Sequence, residues 1–368
     1  MTVKFHLSMI FTLLLVMSML VGCTPGTIKP SQTVGLLPTS VIETISPIGT
    51  QRLASEPVSV IATLTSLPEE TMVTPTSLTV EPALQLTFVN DHHSVYTMAA
   101  NCLETEESCL GEPQLLFEWD DWISAINWSP DGKWIAFISG EYSGKLFVAD
   151  WNGDNAVQIT STCGAASWPQ WSPDGSKIAF IYSAGRPGCE VLEPAQIQVF
   201  DLETGQMTPI FIDAYDPSRI YWLPGGELAY IAMISETDQT EMINIVEPDG
   251  TVIKQLPINA RDYTHIFDLA CSSDGKYLAY VGEINPSTGR TTRDIYMIDL
   301  DGNNIINLTN GLGNNYEPVW SPVGDWIAFE SDRSGDYKIY LIKSNGSGLF
   351  QINSDSASDT SPAWRLLP

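Results

Sequence analysis

From residue 84 onward, short apolar runs alternate with clusters of turn-forming residues, and one block recurs along this stretch. It reads Trp128-Ser129-Pro130-Asp131-Gly132 before Trp134-Ile135-Ala136-Phe137, and Trp171-Ser172-Pro173-Asp174-Gly175 before Ile178-Ala179-Phe180. Later copies are Trp222-Leu223-Pro224-Gly225-Gly226, Cys271-Ser272-Ser273-Asp274-Gly275 and Trp320-Ser321-Pro322-Val323-Gly324, each followed by an apolar-Ala-aromatic triplet. Proline presets φ at the first corner of a turn, Asp suits the next position, and the closing Gly supplies the left-handed conformation of a tight hairpin. The triplet after the turn predicts a buried strand with a small residue at its centre. A third strand follows, as at Leu146–Ala149 or Ile295–Ile298, then a second Gly-marked hairpin such as Asn152-Gly153 or Asp301-Gly302, and a fourth strand.

The first residues of the blocks lie 43, 51, 49 and 49 positions apart, with Trp364 another 44 on, which is the period of propeller blades built from four antiparallel strands. Before the first block lie three strand candidates, at 84–89, 94–100 and 114–119, that lack an innermost strand. Beyond the last block, Ser361–Leu366 is an innermost strand without its other three. Pairing the two predicts an all-β, six-bladed β-propeller over residues 84–368, closed by the C-terminal strand joining the N-terminal blade.

The block W-S-P-D-G-x-x-I-A-F, with a later I-Y and D-G, resembles the repeat of TolB-like six-bladed β-propellers. The likeness spans residues 84–368, with Cys271 standing where the other copies carry tryptophan.

The N-terminus reads differently. Residues 1–7 carry Lys4 and no acid, residues 9–21 are apolar but for Thr12 and Ser18, and Leu20-Val21-Gly22-Cys23 follows. The apolar run is too short to span a bilayer and reads as the core of an export signal, residues 1–22. Leu-Val-Gly-Cys resembles the lipobox of bacterial lipoproteins, which implies lipidation of Cys23 and a stable membrane anchor. From Thr24 to Ala83, 27 of 60 residues are Ser, Thr or Pro, too few apolar groups to offset ordering entropy, so residues 23–83 are expected to be a lipidated cysteine and an extended tether.

Charge narrows the partners. Lys plus Arg number 17 against 44 Asp plus Glu, a formal net charge of −27. Without clustered cations to displace phosphate counterions, nucleic acid is excluded, and anionic polymers are repelled. Export places the cysteines where they can oxidise, and the predicted strand order sets Cys102 against Cys109 and Cys163 against Cys189 as two bridges. Cys271, in a wedge position, is expected to be buried and free.

The sequence holds no G-x-S-x-G nucleophile elbow, and Asp299–Asn303 lacks the sixth-position Gly and twelfth-position acid of a calcium hand. His92, His93 and His265 fall on one face near Asp91 and Asp262, a weak metal candidate. Counting three residues back from each wedge position gives Ala125, Trp168, Arg219, Asp268, Glu317 and Ser361, with Asp121 and Asp359 further out. That ring at the mouth of the central channel would be acidic around one arginine and suit a basic peptide, an amine or a calcium ion. The expected function is a non-enzymatic, lipid-anchored, monomeric propeller in a bacterial cell envelope, facing the periplasm or exterior and binding a protein or peptide. The alternatives are a small-ligand or glycan sensor, marked by exposed Trp122, Trp151 and Trp168, or an unrecognised hydrolase or lyase, marked by paired carboxyls in the channel.

Overall fold

The computed structural model describes residues 84–100, 110–141, 144–160, 164–183, 195–212, 215–233, 240–256, 258, 265–284, 291–352 and 358–367. Cys23, Cys102, Cys109, Cys163, Cys189 and Asp262 lie outside the described residues. So do residues 1–83, on which the expected signal segment and tether fall.

The described residues form 24 strands and no helix. The first blade is β1 (Leu84–Asn90), β2 (Ser94–Ala99) and β3 (Gln114–Glu118); the second is β4 (Ile123–Trp128), β5 (Trp134–Ser139), β6 (Lys145–Asp150) and β7 (Val157–Gln158). Next come β8 (Ala165–Trp171), β9 (Lys177–Ser183), β10 (Gln196–Asp201) and β11 (Met207–Ile210), then β12 (Tyr215–Trp222), β13 (Leu228–Met233), β14 (Glu241–Val246) and β15 (Val252–Leu256). The fifth blade is β16 (His265–Cys271), β17 (Tyr277–Ile284), β18 (Thr292–Asp299) and β19 (Ile306–Asn307); the sixth is β20 (Asn315–Trp320), β21 (Trp326–Ser331), β22 (Lys338–Lys343) and β23 (Phe350–Gln351). The last strand, β24 (Asp359–Leu366), pairs antiparallel with β1, from Leu84 opposite Leu366 to Asn90 opposite Asp359, so every sheet has four strands and the ring closes as the repeat predicts.

Packing follows the triplets. Ala136, Ala179, Ala229, Ala279 and Ala328 are fully buried at the centres of the second strands, where a larger side chain would push neighbouring blades apart. Apolar clusters bridge adjacent blades: Ala279 and Val281 of the fifth pack with Ile327 and Phe329 of the sixth.

The turns explain their own sequence. Ser129, Ser172 and Ser272 each donate to the Asp two residues on, at 2.7, 2.6 and 2.8 Å. The same Asp side chains accept backbone N–H groups of Lys133, Ser176 and Lys276. Hydrogen bonds from Ser172 and Ser176 hold the Asp174 carboxyl down at about 2, and those from Lys276 and Ser272 do the same for Asp274. Asp299 accepts from the N–H groups of Asp301 and Asn303, which makes that segment a strand hairpin.

Closure has a specific latch. The Arg365 guanidinium lies 4.4 Å from the Trp128 ring centre and donates from Nε to the Gly132 carbonyl at 2.9 Å, tying the final strand to the first turn of the next blade.

Candidate functional site

Each innermost strand breaks register with its neighbour once, between Ser124 and Asn127, Ser167 and Gln170, Tyr215 and Arg219, Phe267 and Leu269, Tyr316 and Val319, and at the closing pair between Thr87 and Val89. In each innermost strand a residue with a side chain takes positive φ: Ala125 (52°), Trp168 (56°), Asp216 (51°), Asp268 (47°), Glu317 (47°) and Ser361 (52°). This conformation costs a residue bearing Cβ about 1–3 kcal/mol, so the surrounding bonds must hold it. A bulge there re-aims side chains.

Those bonds run from blade to blade. Arg219 lies over the Trp168 ring, 3.5 Å from its centre, and donates from Nε to Asp268 Oδ1 at 2.6 Å. Asp268 Oδ2 accepts the Glu317 backbone N–H at 2.9 Å. Glu317 hydrogen-bonds Glu330 and Ser361 through its side chain. Glu330 Oε1 accepts the Ser361 N–H at 2.6 Å, and Ser361 Oγ accepts the Ala125 N–H at 3.1 Å.

Five of the six ring residues expected from the wedge alignment are the left-handed ones. Arg219 is the exception: β12 has a wider irregularity, its left-handed residue is Asp216, and Arg219 joins through its long side chain. Asp268 and Ser361 are buried, and Ala125, Trp168, Arg219, Asp268 and Glu317 line a cavity of about 50 Å³ at the waist of the channel.

Asp121 and Asp359 do not join the ring. Asp121 is exposed and accepts the Trp122 N–H, while Asp359 is fully buried, held by Asn90 Nδ2 at 2.9 Å and Lys338 Nζ at 3.6 Å. His92 and His265 have different partners. His92 stacks on Trp122 with ring centres 3.6 Å apart, and burial lowers its pKa, whereas His265 Nδ1 lies 3.5 Å from Glu241. Among the described residues no group of three or more His, Cys, Asp or Glu is arranged to hold a metal. The three candidate sugar platforms are likewise separate. Trp122 is stacked by His92 and Trp168 by Arg219, while Trp151, half-exposed, has Arg365 5.1 Å from its ring centre.

Glu330 is a member of this hydrogen-bonded cluster that wedge counting misses. It lies on β21, in the column that holds Ile138, Ile181, Ile231 and Val281 in other blades, so one acid among branched aliphatics was the available signal. Burial and repulsion from Asp268 push the Glu317 carboxyl up to about 7, and burial beside Glu317 pushes Glu330 well above the usual carboxylate range. Both shifts favour the protonated form of the pair.

A pH dependence follows. The unfolded carboxyl titrates near 4.5, so up to about 7 the folded protein binds protons that the unfolded chain has released, and stability falls as pH rises through that window. At ~1.4 kcal/mol per pH unit the effect is on the order of 3 kcal/mol. The melting temperature is expected to drop between pH 5 and pH 8, and a Glu317→Gln/Glu330→Gln variant to lose that component; an unchanged slope in the variant would contradict the assignment.

A profile described as TolB beta propeller domain matches residues 265–366. An uncharacterized protein of Agrobacterium fabrum is 31% identical over 142 residues, 38% of this chain and 44% of that protein. The Tol-Pal system protein TolB of Desulfosudis oleivorans is 27% identical over 142 residues, 38% of this chain and 31% of the relative. Dipeptidyl-peptidase 5 of Porphyromonas gingivalis is 31% identical over 77 residues, 21% of this chain and 11% of the relative. The chain thus spans less than half the length of each of these relatives. The crystal structure of TolB from Acinetobacter baumannii superposes with a TM-score of 0.61 at 20% identity, over 77% of this chain and 66% of that one. The repeat, the profile and the superposition agree: the chain carries a TolB-like six-bladed β-propeller.

Proposed function

We propose that this protein is a binding propeller of a bacterial cell envelope that takes a protein or peptide partner through its central channel, without catalysing a reaction. The observation that carries this reading is the strained, hydrogen-bonded ring at the waist, which holds a charged cluster in a channel that widens toward solvent. Strain of that kind persists where the surroundings over-determine it, and such places concentrate at ligand sites. Similarity to a TolB named for the Tol-Pal system supports an envelope role. The export-signal pattern and Leu20-Val21-Gly22-Cys23 support display on a lipid anchor.

The enzyme reading has one point in its favour, the paired carboxyls Glu317 and Glu330, together with partial likeness to a peptidase. Size argues against it. A waist of about 50 Å³ holds a water or a side-chain tip, and of the two carboxyls Glu317 lines it while Glu330 does not.

The test is capture of envelope proteins on the immobilised full-length chain, with an Asp268→Ala/Glu317→Ala variant as control and both proteins checked for folding. A saturable protein partner lost in the folded variant is the expected result. A partner held equally by both places binding elsewhere and overturns the channel reading.

A further inference from the structure

The waist opens, on the face of the W-S-P-D-G turns, into a funnel of about 380 Å³. Its wall comprises the five wedge tryptophans, prolines of four of the turns, and four serines. Funnel and waist share Gln170, Tyr221 and Val319, so they are continuous along the axis. The volume falls in the range of small-ligand sites, and the lining is mostly apolar with polar groups at defined points, as such sites require. The sixth wedge position breaks the symmetry. Cys271 is buried and free, and burial pushes its thiol up to about 12, so the fifth blade presents an inert, small side chain where the other blades place an indole.

The floor sets the charge of what enters. Arg219, the cation of the waist, is committed to Asp268, and the Glu317–Glu330 pair lies beyond it. A calcium ion would need six to eight oxygen ligands, which this group does not present, whereas an ammonium needs a few acceptors and is drawn to indole faces. A methylene stem matches the indole and proline walls, because long cationic side chains bury their stems against apolar surface.

We propose that the funnel binds a flexible methylene chain tipped by a primary ammonium, from a free aliphatic amine or from a lysine side chain, with the stem against the indoles and the ammonium at the Glu317 carboxyl. The lysine source rests on the partner reading given above; the free amine does not. Asp268, Arg219, Glu330 and Ser361 face Glu317 from the neighbouring strands, with Arg219 the one cation among them.

Calorimetric titration of the full-length chain tests this with four probes: pentylamine, pentanol, a Gly/Ser peptide carrying one lysine, and the same peptide with that lysine acetylated. Pentylamine is expected to bind at a single saturable site at least about tenfold more tightly than pentanol, and Glu317→Gln to weaken it about tenfold. Cys271→Trp, which adds an indole at the fifth blade's wedge position, is expected to weaken it similarly, with melting curves confirming that both variants fold. Affinity should rise from pH 6 to pH 8 as the floor ionises while the amine stays charged. Equal binding of pentanol and pentylamine, pentylamine binding unchanged by both substitutions, or no binding of either amine source overturns the proposal. Pentylamine binding without lysine-peptide binding upholds it and counts against the partner reading. Capture of a channel-dependent protein with neither amine bound does the reverse.

Discussion

Replacing Arg219 by methionine is expected to cost about 3 kcal/mol of folding stability, because it strands the Asp268 carboxylate in the waist. The Asp268 side chain is 5% exposed and accepts from Arg219 on one oxygen and from the Glu317 N–H on the other. Removing the guanidinium leaves one oxygen uncompensated next to two further carboxyls. The figure sits at the low end for a broken buried pair because the Arg219 side chain keeps 21% of its exposure and some of its solvation. Adding Asp268→Asn to Arg219→Met should recover part of the loss, since the stranded charge disappears with its partner. Denaturant titration of both variants checks this. An Arg219→Met loss below about 1 kcal/mol would mean that the ion pair is solvated and that the waist is wetter than its geometry indicates.

A larger effect is expected from the C-terminus. A chain ending at Ser358 lacks β24, and with it the hydrogen-bonding partner of β1 from Leu84 to Asn90, the buried Trp364 and the Arg365 latch on Gly132 and Trp128. Loss of a buried tryptophan alone costs about 3–5 kcal/mol, and an unpaired strand edge is added to it. That sum approaches the whole stability of a typical domain, so the shortened chain is expected not to fold cooperatively. Circular dichroism melting distinguishes the outcomes. A sharp transition near that of the intact chain would show that five blades and three strands suffice and that closure is ornamental.

How much of this was legible beforehand differs between fold and site. The six blades could be read because the turn chemistry repeats: Ser129, Ser172 and Ser272 each need an acid two residues on, and the glycine after it closes the hairpin. Closure could be read from Trp364, a wedge residue left without the rest of its blade. The residues of the ring could be counted back from the wedge, whereas its bulged geometry could not. Counting back from the wedge finds residues at one level of the strands, yet a linear count does not reveal that a register shift at that level draws them into the waist. Arg219 and Asp216 exchanged roles for the same reason, because β12 spreads its irregularity over more residues than the other strands do. Glu330 lies outside any innermost strand: it stands opposite Tyr316 across the β20–β21 pair, which sets it beside Glu317, and it reaches across to Ser361 of β24. The funnel was hidden in plain view, since tryptophans that read as structural wedges also line a cavity.

Exposed apolar residues provide the natural rival to the channel. Phe211, at the outer end of the third blade, is 80% exposed. The most direct test of the central claim compares partner capture by two variants of the full-length chain, Cys271→Trp in the funnel and Phe211→Ser on the rim, with melting curves confirming that each folds. Binding through the axis predicts that Cys271→Trp loses the partner while Phe211→Ser retains it at wild-type affinity. Retention by Cys271→Trp together with loss in Phe211→Ser would move the binding surface to the outer edge and contradict the account.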